Sequence, residues 1–358
     1  MFGRKKKQKK DKKDMTLKER VIENINLFLS AYLIAFVIRL LILEAYQIPS
    51  QSMVPSLMVR DILMVEKVSY GTLIPIVNWK IPGFTSPKRN DIAVFVSPEW
   101  KSPGIGREIV SLLSLSIINL DNTFETPKNL VKRVVGEPGD VIFMTNQRLV
   151  INGEVLNADF IKSSEQVQYD GGKPMIRYIN GRQQALTRRF DIFEETYSNT
   201  VRISQHISGL TEAYRLDEDM FYTPDFIHNF RDYRAMLVLG FPEIIVPKKD
   251  ETIDLTEANY YFKYLMKMLI ERETGKAVFV STDGGLYLEG VELTGWTPAE
   301  DYYFAMGDNR DASEDCRYFG FIPRSKIFGR IFFRYFPFRR FGFRTDVNRD
   351  KVGKMIFN

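Results

Sequence analysis

The 358-residue sequence has one cysteine, Cys316, and two histidines, His206 and His228. A lone cysteine excludes an internal disulfide framework and a cysteine-rich zinc module. Two imidazoles leave little material for a multi-histidine metal site or for several of the usual catalytic triads. An evenly spread excess of positive charge is missing as well: 50 Lys and Arg stand against 45 Asp and Glu. The first twenty residues hold ten of those bases and three of those acids, so they carry +7 and the other 338 residues carry −2. The basic character is a tail, not a face for nucleic acid. With 44% hydrophobic residues the remainder can bury a substantial core, which excludes a wholly disordered chain.

Long apolar runs are also scarce, and the one present follows the basic tail. It runs from Ile25 to Leu43, about 28 Å as a helix, close to the thickness of a bilayer core. Arg39 lies near one end, where its guanidinium can snorkel to the interface. The lysine-rich flank predicts a single span with the N-terminus cytoplasmic and residues from about 45 onward outside. No small-residue cleavage site closes the stretch, which continues into Glu44-Ala45-Tyr46-Gln47, so an anchor is expected rather than a removed signal sequence.

Beyond it the chain reads mostly as strands. Asp61 to Tyr70, Asp91 to Ser97, Val131 to Val135 and Asp140 to Thr145 are short β-branched or alternating runs bounded by turn residues. Asn152-Gly153 predicts a turn joining the short strands 148–151 and 154–156, and a second strand-rich region spans 277–295. Between them, 157–276 is more polar, contains both histidines and includes a helical pattern from Leu255 to Arg272 with Thr256 as N-cap. Near the C-terminus, Phe328 to Arg344 packs seven Phe and five Arg into seventeen residues, suited either to a membrane–water interface or to a core strand with a solvated basic turn.

Three segments carry candidate chemistry. Directly after the apolar run, Ile48-Pro49-Ser50-Gln51-Ser52-Met53-Val54-Pro55-Ser56-Leu57 places several hydroxyls in a stretch whose prolines restrict the backbone. A serine there needs a base to act as nucleophile, and both histidines lie in 157–276 without acid–base context. Lysine is the alternative. Lys132 sits in Asn129-Leu130-Val131-Lys132-Arg133-Val134-Val135-Gly136, where a desolvated amine would lose its proton more readily. Alternation predicts that if Lys132 points inward, Arg133 points out. The third segment, Gly307-Asp308-Asn309-Arg310-Asp311-Ala312-Ser313-Glu314-Asp315-Cys316-Arg317-Tyr318-Phe319-Gly320, is a loop of alternating charge that lacks EF-hand spacing.

In this order and behind an anchor, the three segments resemble the bacterial type I signal peptidases. The resemblance implies a mainly β fold: an antiparallel catalytic domain, one N-terminal transmembrane helix and an α/β insertion. The corresponding division is 1–22 cytoplasmic tail, 23–44 transmembrane helix, 45–156 with 277–344 extracytoplasmic catalytic domain, 157–276 insertion and 345–358 C-terminal tail. It further implies Ser52 as nucleophile, Lys132 as general base, an oxyanion hole from the Ser50 hydroxyl and the Ser52 N–H, and Ser313 orienting the lysine. Asp308 and Arg310 would hold the last loop, and Ile48, Met53, Leu57, Leu130 and Val131 would line substrate pockets. Cys316 and Ala312 stand where the family often has other residues, and neither removes a catalytic group. The expected activity is removal of signal peptides from exported preproteins through an acyl-enzyme, with small residues before the cut and with no metal or other cofactor. Preproteins, membrane lipid and the secretion machinery are the expected partners. Two other classes fit the same residues: another Ser-Lys processing protease with one dedicated exported substrate, or a non-enzymatic membrane-tethered β-rich interaction protein.

Overall fold

A computed structural model of the chain describes residues 16–54, 56–74, 79–102, 104–114, 129–145, 148–156, 167–170, 173–179, 182–185, 223–228, 230, 237, 240–338 and 341–343. Residues 1–15 of the expected cytoplasmic tail, the expected C-terminal tail 345–358, His206 and Pro55 lie outside these residues, whereas 17–22 of the expected tail are helical.

The apolar run forms one helix, α1 (Leu17–Leu41), which starts earlier than the run because Thr16 and Glu19 make a reciprocal capping box. Its 25 residues are long and apolar enough to cross a membrane, and none is buried. The helix ends before Leu43, because Leu43–Gln47 is a strand, β1, paired antiparallel with β2 (Ile62–Glu66).

The main sheet adds β3 (Ile92–Val96), β4 (Asn129–Gly136), β5 (Tyr302–Met306), β6 (Ile322–Pro323) and β7 (Ile327–Phe336). Their order is β1-β2-β7-β3-β4-β5-β6, with the short strand Gly342–Phe343 paired to β7. Every pairing is antiparallel. Strands β3 and β5 are buried along their whole length, which is why Ile-Ala-Val-Phe-Val and Tyr-Tyr-Phe-Ala-Met read as continuous apolar runs rather than as alternation.

A second antiparallel sheet contains Val141–Thr145 and Arg148–Ile151, the latter joined to Glu154–Val155 through Asn152 and Gly153. Both turn residues have positive φ, 51° and 81°, as an Asn-Gly hairpin requires. Phe241–Ile245 pairs with Val141–Thr145, and helix Tyr260–Thr274 buries Tyr261, Phe262, Leu265, Met266, Leu269 and Ile270 in the same core as Val134, Val135 and Phe304. The stretch 241–276 therefore shares the core of the main sheet.

That helix starts at a different cap from the one expected. The Thr256 amide and hydroxyl both donate to Asp254, so the Asn259 side chain caps instead, accepting from the Phe262 N–H at 2.9 Å. The Phe- and Arg-rich segment supplies β7, which buries Ile327, Phe328 and Ile331 and sets Arg334 3.6 Å from Asp61. Phe332, Phe336, Phe338 and Phe341 stay exposed.

Candidate active site

The serine segment leaves β1 through Ile48, whose N–H donates to the Asp61 carbonyl at 2.9 Å and whose own carbonyl accepts from the Arg60 N–H at 2.8 Å. Between these ties the chain turns tightly, with Val54 N–H donating to the Gln51 carbonyl and Leu57 N–H to that of Met53. The turn buries Ser52 and leaves Ser50 exposed, with their hydroxyl oxygens 3.3 Å apart. Ile48, Met53 and Leu57 pack with Leu63, Ile92 and Ile331, and Val131 lies against this cluster. Leu130 does not join them: one position away on the strand it faces the larger core.

Strand β4 carries Lys132 between two neighbours, pairing Lys132 with Ala93 on one side and Val134 with Ala305 on the other. Lys132 is 3% exposed. Burial pushes its pKa down to about 8, with Arg317 adding to the shift and Asp315 opposing it. The expectation that an inward Lys132 would leave Arg133 in solvent is corrected, because Arg133 is 1% exposed. Alternation does send it to the other face, but the 307–317 loop and the serine segment cover that face too. Its guanidinium donates to both Asp308 oxygens at 2.8 and 2.7 Å, to the Ser56 hydroxyl at 3.0 Å and to the Asn90 carbonyl at 2.8 Å.

The third segment is a buried polar strap. Gly307 N–H donates to Asp315 at 3.0 Å, Arg310 Nε donates to the Gly307 carbonyl at 3.1 Å, and Arg317 forms a two-point pair with Asp315 while also donating to the Arg310 carbonyl. Buried guanidinium groups are tolerable only when paired in this way. Burial pushes the Asp315 carboxyl up, but the Arg317 guanidinium beside it outweighs that and holds it below the usual range. Burial and Arg317 lower the Arg310 pKa to about 10.

The strap meets the serine directly. Asn309 N–H donates to the Ser52 carbonyl at 3.0 Å and its Nδ2 to the Gln51 carbonyl at 3.2 Å. Ser56 donates to Asp308 at 2.5 Å. One residue from each segment, Ser56, Arg133 and Asp308, thus closes a buried triangle that locks the three together. Gly307 packs so closely that a Cβ there would collide with the Ser313 side chain and lie 2.5 Å from the Ser52 carbonyl oxygen. Ser313 is buried, and among the described residues its hydroxyl has no hydrogen-bond partner, Lys132 included.

Ser50, Ser52, Asp308, Arg310 and Ser313 gather around this strap and the serine turn, with Ile48, Met53, Leu57 and Val131 in the apolar cluster beside it. Lys132 takes the same strand face as Leu130, opposite Val131 and Arg133, and no hydrogen bond joins it to Ser52 among the described residues. Sequence reasoning gave no role to Ser56, Asn309, Asp315 or Arg317. Each lies inside a quoted motif, but only the fold reveals its partner. His228 is exposed and its Nε2 lies 2.9 Å from the Ser281 carbonyl, away from the strap. Among the described residues no group of His, Cys, Asp and Glu could hold a metal ion.

The family model described as signal peptidase, peptidase S26, matches residues 21–206 and 256–336. The chain belongs to that family. As a type I signal peptidase by family it is a serine peptidase, and the match extends over 157–206 and 256–276, beyond the motif segments. Signal peptidase I of Buchnera aphidicola subsp. Baizongia pistaciae is 25% identical over 94% of this chain and 84% of its own length. The Haemophilus influenzae signal peptidase I is 24% identical over 83% of this chain and 64% of its own. That of Pseudomonas fluorescens is 35% identical over 36% of each chain.

Proposed function

We propose that this chain is a membrane-anchored endopeptidase that removes N-terminal signal peptides from exported preproteins. The observation that carries the reading is a lysine amine, Lys132, buried to the point of losing its proton near pH 8, beside the strap that holds the Ser52 carbonyl. Neutral Lys132 takes the Ser52 hydroxyl proton as Oγ attacks the scissile carbonyl, and the acyl-enzyme is then hydrolysed by a water that the same amine activates. The Ser52 N–H and the Ser50 hydroxyl receive the developing oxyanion, each such donor being worth about 3 kcal/mol. Ser313, whose buried hydroxyl bonds no described residue, would orient the amine by turning toward it as substrate binds, while Asp308 and Arg310 keep the strap in place. Ile48, Met53, Leu57 and Val131 form the floor against which small side chains before the cut are read. Leu130, on the strand face that Lys132 also takes, borders the substrate path on the side of the amine.

The helix Leu17–Leu41 anchors the enzyme, with the lysine-rich tail cytoplasmic and the catalytic domain outside. Substrates reach the serine while held in the same bilayer, so lipid and exported preproteins are its partners. The test is cleavage of a membrane-inserted preprotein together with labelling by a serine-directed acylating probe. Wild type should cut and be labelled, Ser52→Ala should do neither, and Lys132→Ala should lose both. Cleavage retained by either variant would refute the Ser-Lys assignment.

A further inference from the structure

The end of the anchor is built into the catalytic domain rather than joined to it by a linker. The last carbonyls of a helix lack partners within it. Here side chains of the catalytic domain supply them: Lys67 Nζ donates to the Arg39 carbonyl at 3.1 Å and Thr72 Oγ1 to the Leu41 carbonyl at 2.8 Å. Lys67 N–H donates to the Ile42 carbonyl at 2.9 Å.

One carboxylate ties these groups together. Glu44 pairs with Arg39, in the last turn of the helix, at 2.9 Å and with Lys67, just past β2, at 2.7 Å. It also accepts from the Tyr46 hydroxyl at 2.6 Å, and that hydroxyl in turn accepts from Nδ2 of Asn129, the first residue of the lysine strand, at 3.3 Å. The side chains of Lys67 and Glu44 are 8% and 15% exposed, so water screens the pair little. Helix, serine strand and lysine strand therefore meet at one charged knot, six residues before the first serine of the nucleophile turn.

We propose that the Glu44–Lys67–Arg39 knot fixes the height of Ser52 relative to the bilayer and so selects which peptide bond of a membrane-held substrate is cut. The proposal rests on the signal peptidase reading and deepens it. The apolar segment of such a substrate is positioned by the bilayer, as α1 is. A bond is then presented at a height set by its distance from that segment, changing by about 3.3 Å per extended residue. A rigid joint admits a narrow band of heights, whereas a loosened joint lets neighbouring bonds compete. Glu44, Lys67 and Arg39 are positioning residues that touch no reacting atom.

The experiment uses the full chain in liposomes and a membrane-inserted preprotein carrying two identical cleavage sequences in tandem. A soluble peptide with the same tandem serves as the control, and cut positions are read by mass spectrometry. Wild type should prefer one site in the preprotein and cut both in the peptide, and failure to cut either substrate would refute the peptidase reading itself. Glu44→Gln and Lys67→Met should reduce the preprotein site preference by roughly tenfold, the scale of one charge-assisted bond, with peptide kcat/KM unchanged. Wild-type site preference in both variants would overturn the proposal. Parallel loss of peptide cleavage would overturn it too, because the knot would then support the fold rather than the height.

Discussion

Burial lowers the Lys132 pKa from 10.5 to about 8, so at pH 7 the folded protein carries that proton at a cost of about 3 kcal/mol relative to the unfolded chain. Below pH 8 the penalty is full. Between pH 8 and 10.5 the unfolded chain binds more proton than the folded one, so stability rises with pH until the penalty disappears. Lys132→Met should therefore be inactive yet more resistant to denaturant at pH 7, and its advantage should shrink toward zero near pH 10.5. Wild-type activity should fall as pH drops below about 8, where the base becomes protonated. A second expectation at this scale concerns Gly307, where a methyl group would strike Ser313 and press on the Ser52 carbonyl. Gly307→Ala should lose most activity while far-ultraviolet circular dichroism stays unchanged. Candidate reactive residues were readable from order and spacing. The Lys132 environment was not, because its desolvation comes from strands and a loop that are distant in sequence.

At the scale of elements, three segments distant in sequence are joined by Ser56, Arg133 and Asp308. Asp308→Ala would strand a buried guanidinium, which costs about 3–5 kcal/mol, and urea unfolding should show a midpoint lowered accordingly. An Arg133→Met, Asp308→Leu double variant should recover much of that stability, since neither charge is then unpaired. The strand pattern was legible wherever periodicity or turn chemistry was strong, as at Asn152-Gly153. It misled at Thr256, whose hydroxyl and amide already bond Asp254, so the helix began at the next available acceptor, Asn259. It misled again at Arg133, because alternation states which face a residue takes but not whether another segment covers that face.

For the whole molecule, helix α1 contributes no buried residue to the catalytic core, and it is tied to the catalytic domain at its end by the knot at Glu44 and along its length by the Tyr32 hydroxyl, which donates to the Leu113 carbonyl. A chain lacking residues 1–41 should leave the membrane fraction and retain peptide cleavage within a few-fold. Cleavage of a membrane-inserted preprotein should fall much further, since the enzyme is no longer concentrated beside its substrate. Fractionation and kcat/KM on both substrates measure these effects. Residues 241–276 illustrate the same scale. Their polarity set them apart in the sequence, but Phe241–Ile245 completes a sheet with Val141–Thr145 and Tyr260–Thr274 fills the main core.

The sequence by itself determined the anchor, the mainly β composition and the order of serine, lysine and polar-loop segments, because hydropathy, β-branching and turn residues act locally. Only the tertiary structure decided that Arg133 is buried, that Asn309 holds the serine carbonyl and that the anchor is locked to the domain through Glu44. Each of these depends on a partner far along the chain, and burial of a charge is a property of what surrounds it.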